Sequence, residues 1–257
     1  MDWYKPYSTG PEDSRRDHPV IVFDGDDTLW ETEPLYDRAR SAAAMLVAAD
    51  GLDPARFEEL QREIDIRNVE RMGLSAGRFP TSSVHAYEAL VNEDGAVFSE
   101  RLAAQVYSTS CGVFDSPASL LPHAAEVLAA LRPTHRLVLL TKGELEVQSK
   151  RVSDSGLVDS FDAVCIVDVK SPDAYGRVLG ALAVDAGTSW SVGNSWPSDI
   201  EPAVSVGMQA IWIDAPVWGH ERPQFGRALT NVRICVAQGL DAIPMIVLGS
   251  RLHPNLT

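Results

Sequence analysis

Short apolar runs rich in β-branched residues recur along the chain, and each predicts a buried strand. The first is Pro19–Phe23, and the others are Arg136–Leu140, Phe161–Val167, Trp190–Val192, Gln209–Ile213 and Val232–Val236. Helical patterns lie between most of them, at Glu144–Ser155, Pro172–Val184 and Ser198–Ser205. Strands that alternate with helices predict an α/β fold, with a doubly wound parallel sheet covered on both faces.

One long stretch, from about Glu33 to Arg132, contains only helical patterns. This connection is far longer than a strand–helix–strand unit needs. We therefore predict an inserted α-helical cap over residues 33–119, interrupting an α/β core of residues 19–32 and 120–257. Open α/β sheets bind ligands at the carboxyl ends of their strands, so we expect the insert to stand over that edge. Residues 1–18 are polar and predict a flexible lead-in.

Composition narrows the class of protein. The 257 residues carry a formal net charge of −14, which argues against nucleic acid or an anionic membrane as a partner, since both bind basic surfaces. No apolar run approaches the roughly 18 residues of a membrane span, and the polar start has no hydrophobic signal region. The 3 cysteines are widely spaced and suit reduced thiols. We expect a cytoplasmic protein, and its oligomeric state stays open.

A pair of carboxylates follows the first strand directly. Asp24 and Asp26 stand two residues apart, so both side chains reach one site if the chain coils after Gly25. In such a pair, one ionised group can attack an electrophile or hold a metal while the other transfers protons. The simpler alternative is an acidic turn at the end of a strand.

Polar residues also follow three later strands. Thr141 can hold a phosphoryl oxygen beside the free N–H groups of a helix start, and Lys170 can neutralise crowded carboxylates and a phosphate. Asn194 and Asp199 offer the hard oxygens that Mg²⁺ binds. Taken alone, Thr141 is more typical of a helix cap and Lys170 of an exposed surface lysine. Asp199 is as typical of an acid at a helix start as of a metal ligand.

Taken together, the four segments resemble the haloacid dehalogenase superfamily, in which phosphatases predominate. The matching residues, in motif order, are Asp24 with Asp26, Thr141, Lys170, and Asn194 with Asp199. The insert resembles that family's first-position helical cap. One position departs from the pattern, because the fourth motif usually begins Gly-Asp and here reads Gly193-Asn194. The change removes one negative charge from the predicted metal site.

The resemblance implies a Mg²⁺-dependent phosphatase that acts on a small phosphorylated metabolite. Asp24 would be the nucleophile and Asp26 the proton donor and acceptor, while Thr141 and Lys170 would hold the phosphoryl oxygens. The implied metal ligands are Asp24, the carbonyl of Asp26, Asn194 and Asp199.

Residues near these motifs are further candidates. Arg78 is predicted in a mobile, glycine-flanked loop that could bring its guanidinium toward the site. An exposed arginine on a connection between helices is the simpler alternative. Lys142, beside Thr141, is a second candidate for binding substrate. His220 is a candidate auxiliary acid or base. Trp30 would either line the site or pack against the insert.

Three alternatives stay open at this stage. A phosphotransferase or mutase would keep the same intermediate but exclude water. A 2-haloacid dehalogenase is disfavoured by Asp26, since the family's dehalogenases have no acid at that position and need no metal. A regulatory or binding module with little turnover is suggested only by Asn194.

Overall fold

The computed structural model describes residues 2–7, 15–214 and 233–249, and the chain divides into two compact units. One unit consists of Met1–Glu31 and Ser119–Thr257, and the other is Thr32–Ala118. The second range lies within one residue of the helical insert predicted from the sequence at each end. Among the described helices, none combines the length and the apolar character that crossing a bilayer demands.

The first unit contains the strands. In chain order they are β1 (Asp2–Lys5), β2 (Val20–Phe23), β3 (Trp30–Glu31), β4 (Ser119–Leu120), β5 (Arg136–Lys142), β6 (Ala163–Val167), β7 (Trp190–Gly193), β8 (Gln209–Ile213) and β9 (Ile234–Ala237). Within the described residues, seven of them form one sheet in the order β1-β6-β5-β2-β7-β8-β9, and β3 pairs with β4. All six strands predicted from the apolar runs are present.

The central strand β2 pairs in parallel with both neighbours, so that Phe23 lies opposite Leu139 of β5 and Val192 of β7. The remaining pairs of the seven-stranded sheet are also parallel, apart from the antiparallel pair of β1 with β6. The predicted α/β fold class is confirmed. Because parallel strands end at the same edge, the residues that follow β2, β5 and β7 are brought together there.

The sheet is flanked by helices, which follow the four helices of the second unit in chain order. They are α5 (Ala124–Leu131), α6 (Leu145–Asp154), α7 (Pro172–Leu182), α8 (Glu201–Ser205) and α9 (Ile243–Gly249). Strands β2, β6 and β7 are buried at every position, as coverage of both faces of the sheet requires. On one face, Val138 and Leu140 of β5 pack with Tyr175 and Val178 of α7 in a single apolar cluster.

The start of the chain departs from the sequence prediction. Asp2–Lys5 forms β1, which pairs antiparallel with β6, so the prediction of a wholly flexible lead-in is wrong for this segment. The ammonium of Lys5 donates to the carbonyls of Val158 and Phe161, at 3.0 and 2.8 Å. An uncovered β6 would expose unpaired backbone groups, and β1 satisfies them.

The second unit is helical, with α1 (Glu33–Ala49), α2 (Pro54–Met72), α3 (Arg78–Asp94) and α4 (Glu100–Cys111). Two helix starts are capped by side chains, since Asp53 accepts from the backbone of Ala55 and Ser99 from that of Leu102. The shared core of the four helices includes Ala43, Val47, Phe57, Leu60, Tyr87, Leu90 and Val106.

Candidate active site

The predicted chemistry-bearing residues of the α/β unit meet at the carboxyl edge of the sheet. Asp24 directly follows β2, and its backbone N–H donates to the carbonyl of Val192 in β7 at 2.9 Å. Thr141 lies near the end of β5, and Asn194 directly follows β7. The three residues therefore leave three adjacent strands at one level, as the parallel register requires.

Lys170 joins two buried carboxylates. Its Nζ lies 2.6 Å from Oδ1 of Asp199, and it also donates to Oδ1 of Asp24. All three side chains are buried. One ammonium thus faces two carboxylates, so the three ionised side chains together carry a net negative charge.

This imbalance affects the protonation of Asp24. Burial, together with the charge of Asp199, raises the pKa of Asp24 to about 7, against the opposing pull of Lys170. Burial disfavours the charge on Lys170, but Asp199 and Asp24 outweigh it and hold the pKa of the ammonium above its ordinary value. A further positive charge at this place would favour the ionised form of Asp24.

Hard oxygen atoms converge beside Asp24. The hydroxyl of Thr28 lies 3.0 Å from Oδ2 of Asp24 and 3.2 Å from Oδ1 of Asn194, so both oxygens approach one atom. Asp199 is linked to Asp24 because both carboxylates accept from the ammonium of Lys170. In the described part of the chain, His, Cys, Asp and Glu alone form no group of three or more that could hold a metal. With the amide oxygen of Asn194 included, the donor set fits a hard divalent cation such as Mg²⁺.

Asp199 is held both at its side chain and at its backbone carbonyl. Its Oδ2 accepts from the N–H of Ser195 at 2.9 Å, inside a π-helical turn, Trp196–Ile200. Its carbonyl accepts from the hydroxyls of Ser191, at 2.7 Å, and of Tyr175, at 3.4 Å. Burial raises the pKa of Tyr175, so this phenol stays neutral and serves as a donor. Sequence reasoning missed Ser191 and Tyr175, whose contacts give no local pattern.

Gly193→Ala is expected to disturb Asp199 and lower stability by about 1–3 kcal/mol, because a Cβ at position 193 would lie 2.2 Å from Oδ2 of Asp199. Chemical denaturation measures the change. Gly180→Ala in α7 is the matched control, since a Cβ there meets nothing within 4 Å. A Gly193→Ala protein as stable as the wild type would contradict this close packing.

Asp26 is held by three donors, two of which the sequence did not reveal. Trp30 donates from Nε1 to Oδ1 of Asp26 at 2.7 Å, and Gln148 donates from Nε2 to Oδ2 at 2.9 Å. The guanidinium of Arg151 forms an ion pair with the same Oδ2. The amide oxygen of Gln148 also accepts from the hydroxyl of Thr141 at 3.2 Å. The only sequence signal was a pair of polar residues three apart on a sheet-covering helix.

Other predicted residues fall in different places. Lys142 ends β5 and donates to the hydroxyl of Ser198 at 2.9 Å, near the turn that holds Asp199. Trp30 is fully buried and packs over Gly25, where an added Cβ would lie 2.5 Å from the indole ring. His220 lies outside the described residues.

Arg78 is not in an open loop, and that prediction is wrong. It is the first residue of α3, and its side chain is buried within the helical unit. Its guanidinium forms an ion pair with the carboxylate of Asp65 and donates to the Asp65 carbonyl at 3.1 Å. Arg78 is buried because α2 continues to Met72, and Asp65 of this helix pairs with the arginine at the start of α3.

Comparison with known proteins identifies the family of the chain. A family model described as haloacid dehalogenase-like hydrolase matches residues 18–207. The chain is 28% identical to a glyceraldehyde 3-phosphate phosphatase of Pyrococcus abyssi, over 76% of this chain and 80% of that protein. It is 25% identical to the human N-acylneuraminate-9-phosphatase, over 51% of this chain and 55% of that protein.

Solved structures share the fold. A haloacid dehalogenase-like hydrolase from Xanthomonas campestris superposes with a TM-score of 0.73 at 24% identity, covering 95% of both chains. The L-2-haloacid dehalogenase of Xanthobacter autotrophicus superposes with a TM-score of 0.60 at 20% identity, covering 90% of this chain and 99% of that one. The family and the hydrolase class predicted from the motifs are confirmed. With the family model matching most of its length, the chain belongs to the haloacid dehalogenase-like hydrolases.

Proposed function

We propose that this hydrolase is a Mg²⁺-dependent phosphatase that acts on a small-molecule phosphomonoester through an aspartyl-phosphate intermediate. The observation that carries the proposal is the buried Asp24, which forms an ion pair with Lys170 and is followed two residues later by the carboxylate of Asp26. Relatives named as phosphatases support this choice of substrate class.

The residues of the chain divide the reaction between them. The ionised carboxylate of Asp24 attacks phosphorus, and the bond from phosphorus to the ester oxygen breaks. Asp26 gives a proton to the departing oxygen and then takes one from the water that cleaves the aspartyl phosphate. Lys170 and Thr141 would hold the equatorial oxygens, and Lys142 would bind a further polar group of the substrate.

Mg²⁺ fits beside the nucleophile. It would be held by Asp24, Asn194, Asp199 and the backbone carbonyl of Asp26, and its charge would screen the substrate dianion from the carboxylates. Asn194 supplies an oxygen without a charge, so we expect weaker metal binding than a third carboxylate would give. Asn194→Asp should therefore bind Mg²⁺ more tightly in calorimetric titration.

The proposal is tested by phosphate release from a panel of phosphorylated metabolites, each with Mg²⁺ and with EDTA. We expect release that depends on the metal and concentrates on a few compounds. Asp173→Asn, an exposed change in α7, is a control that should retain full activity. A folded protein that releases phosphate from no compound would contradict the proposal.

A dehalogenase is the second candidate, although Asp26 disfavours it, because a segment of 68 residues, 24% of this chain, is 41% identical to the (S)-2-haloacid dehalogenase of Xanthobacter autotrophicus. It predicts halide release from 2-chloropropionate in EDTA, with no phosphate release. Added alcohol acceptors would reveal a phosphotransferase, and Mg²⁺ binding without turnover would indicate a regulatory module. A cytoplasmic location remains part of the proposal, in keeping with three unpaired cysteines.

A further inference from the structure

The turn that carries Asp26 gives its carboxylate a donor at one oxygen, since the indole of Trp30 bonds to Oδ1. The turn backbone is fixed, because the carbonyl of Gly25 accepts from the N–H groups of Thr28, Leu29 and Trp30. The Asp26 side chain, however, is 26% exposed, whereas the Asp24 side chain is 9% exposed. A carboxylate that moves a proton in both halves of a reaction must keep one orientation.

Helix α6 supplies donors to the other oxygen. Gln148 and Arg151 are three residues apart and lie on one helix face, and both donate to Oδ2 of Asp26. Trp30 donates to the other oxygen, Oδ1. Three donors at two oxygens fix the plane of the carboxylate.

Gln148 also fixes Asp26 relative to Thr141. One amide group accepts from the Thr141 hydroxyl and donates to the Asp26 carboxylate. The space for this amide exists at Gly143, whose φ is 140° and where a Cβ would lie 3.0 Å from Nε2 of Gln148. The side chain of Gln148 is thus packed into one position.

Stability alone is a poor reason for the Arg151 contact. The Arg151 side chain is 9% exposed, and taking a guanidinium out of water costs much of what an ion pair returns. We propose that Gln148 and Arg151 are positioning residues that hold the Asp26 carboxylate for proton transfer. This inference rests on the proposed phosphatase function, and it gives Gln148 and Arg151 a role in that reaction.

The first test is kinetic. Arg151→Met should lower kcat on an alkyl phosphomonoester about 100-fold with KM changed less than about threefold, since a misplacement of about 1 Å has this cost. Arg151→Lys should recover part of the loss. Lys150→Met is the matched control, an exposed neighbour on the same helix that pairs with Asp154, and it should keep wild-type kcat.

A double-mutant cycle separates positioning from a general loss of structure. If Arg151 acts through Asp26, Arg151→Met should change kcat less than about twofold in an Asp26→Asn background. Equal losses in both backgrounds would overturn the proposal. Gln148→Met should behave in the same way as Arg151→Met.

A second readout does not need turnover. The indole N–H of Trp30 bonds to the Asp26 carboxylate, so its ¹H–¹⁵N signal, assigned with Trp30→Phe, reports how that group is held. We expect Arg151→Met and Gln148→Met to shift this signal and Lys150→Met to leave it in place. A signal unmoved by both α6 variants would refute the positioning role. A wild type without phosphate release would refute the proposed function instead, so the two failures are distinguishable.

Discussion

Asp24→Asn is expected to reduce phosphate release to below about 1% of the wild-type rate while leaving the protein at least as stable. The amide keeps the size of the carboxylate but cannot attack phosphorus. It also removes one of two buried negative charges that share a single ammonium. Since burial and Asp199 raise the pKa of Asp24, the folded protein disfavours the charge that the substitution removes.

Phosphate release and thermal unfolding in EDTA, measured on the same preparations, check both parts of this expectation. Asp173→Asn makes the same chemical change at an exposed position and should alter neither quantity. Retention of more than about 1% of activity would contradict covalent catalysis by Asp24. A clear fall in the unfolding temperature would contradict the charge argument.

Lys170→Met is expected to destabilise the protein by about 3–5 kcal/mol and to abolish turnover. Without the ammonium, the carboxylates of Asp24 and Asp199 would face each other in a buried site with no shared counter-charge. Urea unfolding in EDTA measures the loss, and Lys150→Met, which removes an exposed lysine, should lose little.

The origin of the loss is tested by combining the substitutions. Asp24→Asn should restore a large part of the stability of Lys170→Met, because one charge of the repelling pair is then gone. Additive effects of the two substitutions would show that Lys170 contributes by packing rather than by charge.

The sheet and the position of Asp24 were predictable from the sequence because both depend on local patterns. An apolar β-branched run such as Val20–Phe23 identifies a strand wherever it pairs, and a carboxylate directly after it must lie at the carboxyl edge of a parallel sheet. The same logic placed Thr141, Lys170 and Asn194 beside Asp24.

Contacts between distant segments were not predictable. Arg151 and Asp26 lie 125 positions apart, and nothing in a polar helix residue indicates which distant carboxylate it meets. The strand Asp2–Lys5 exists because β6 has a free edge, which is a property of the assembled sheet. Arg78 was placed wrongly because its environment depends on where α2 ends and on its buried partner, Asp65.

The pairing of β3 with β4 makes the molecule modular. Glu31 lies opposite Ser119, so the chain leaves and re-enters the α/β unit at positions about 5 Å apart. For that unit, the whole of Thr32–Ala118 is one long hairpin loop, and closing a loop costs only slightly more as its length grows. A two-residue Asn-Gly turn is therefore a feasible graft in its place. The hydrogen bonds that join Asp24 to Lys170 and Thr28, Lys170 to Asp199, and Thr28 to Asn194 all lie within the α/β unit, so a chain shortened in this way would retain every residue of that network.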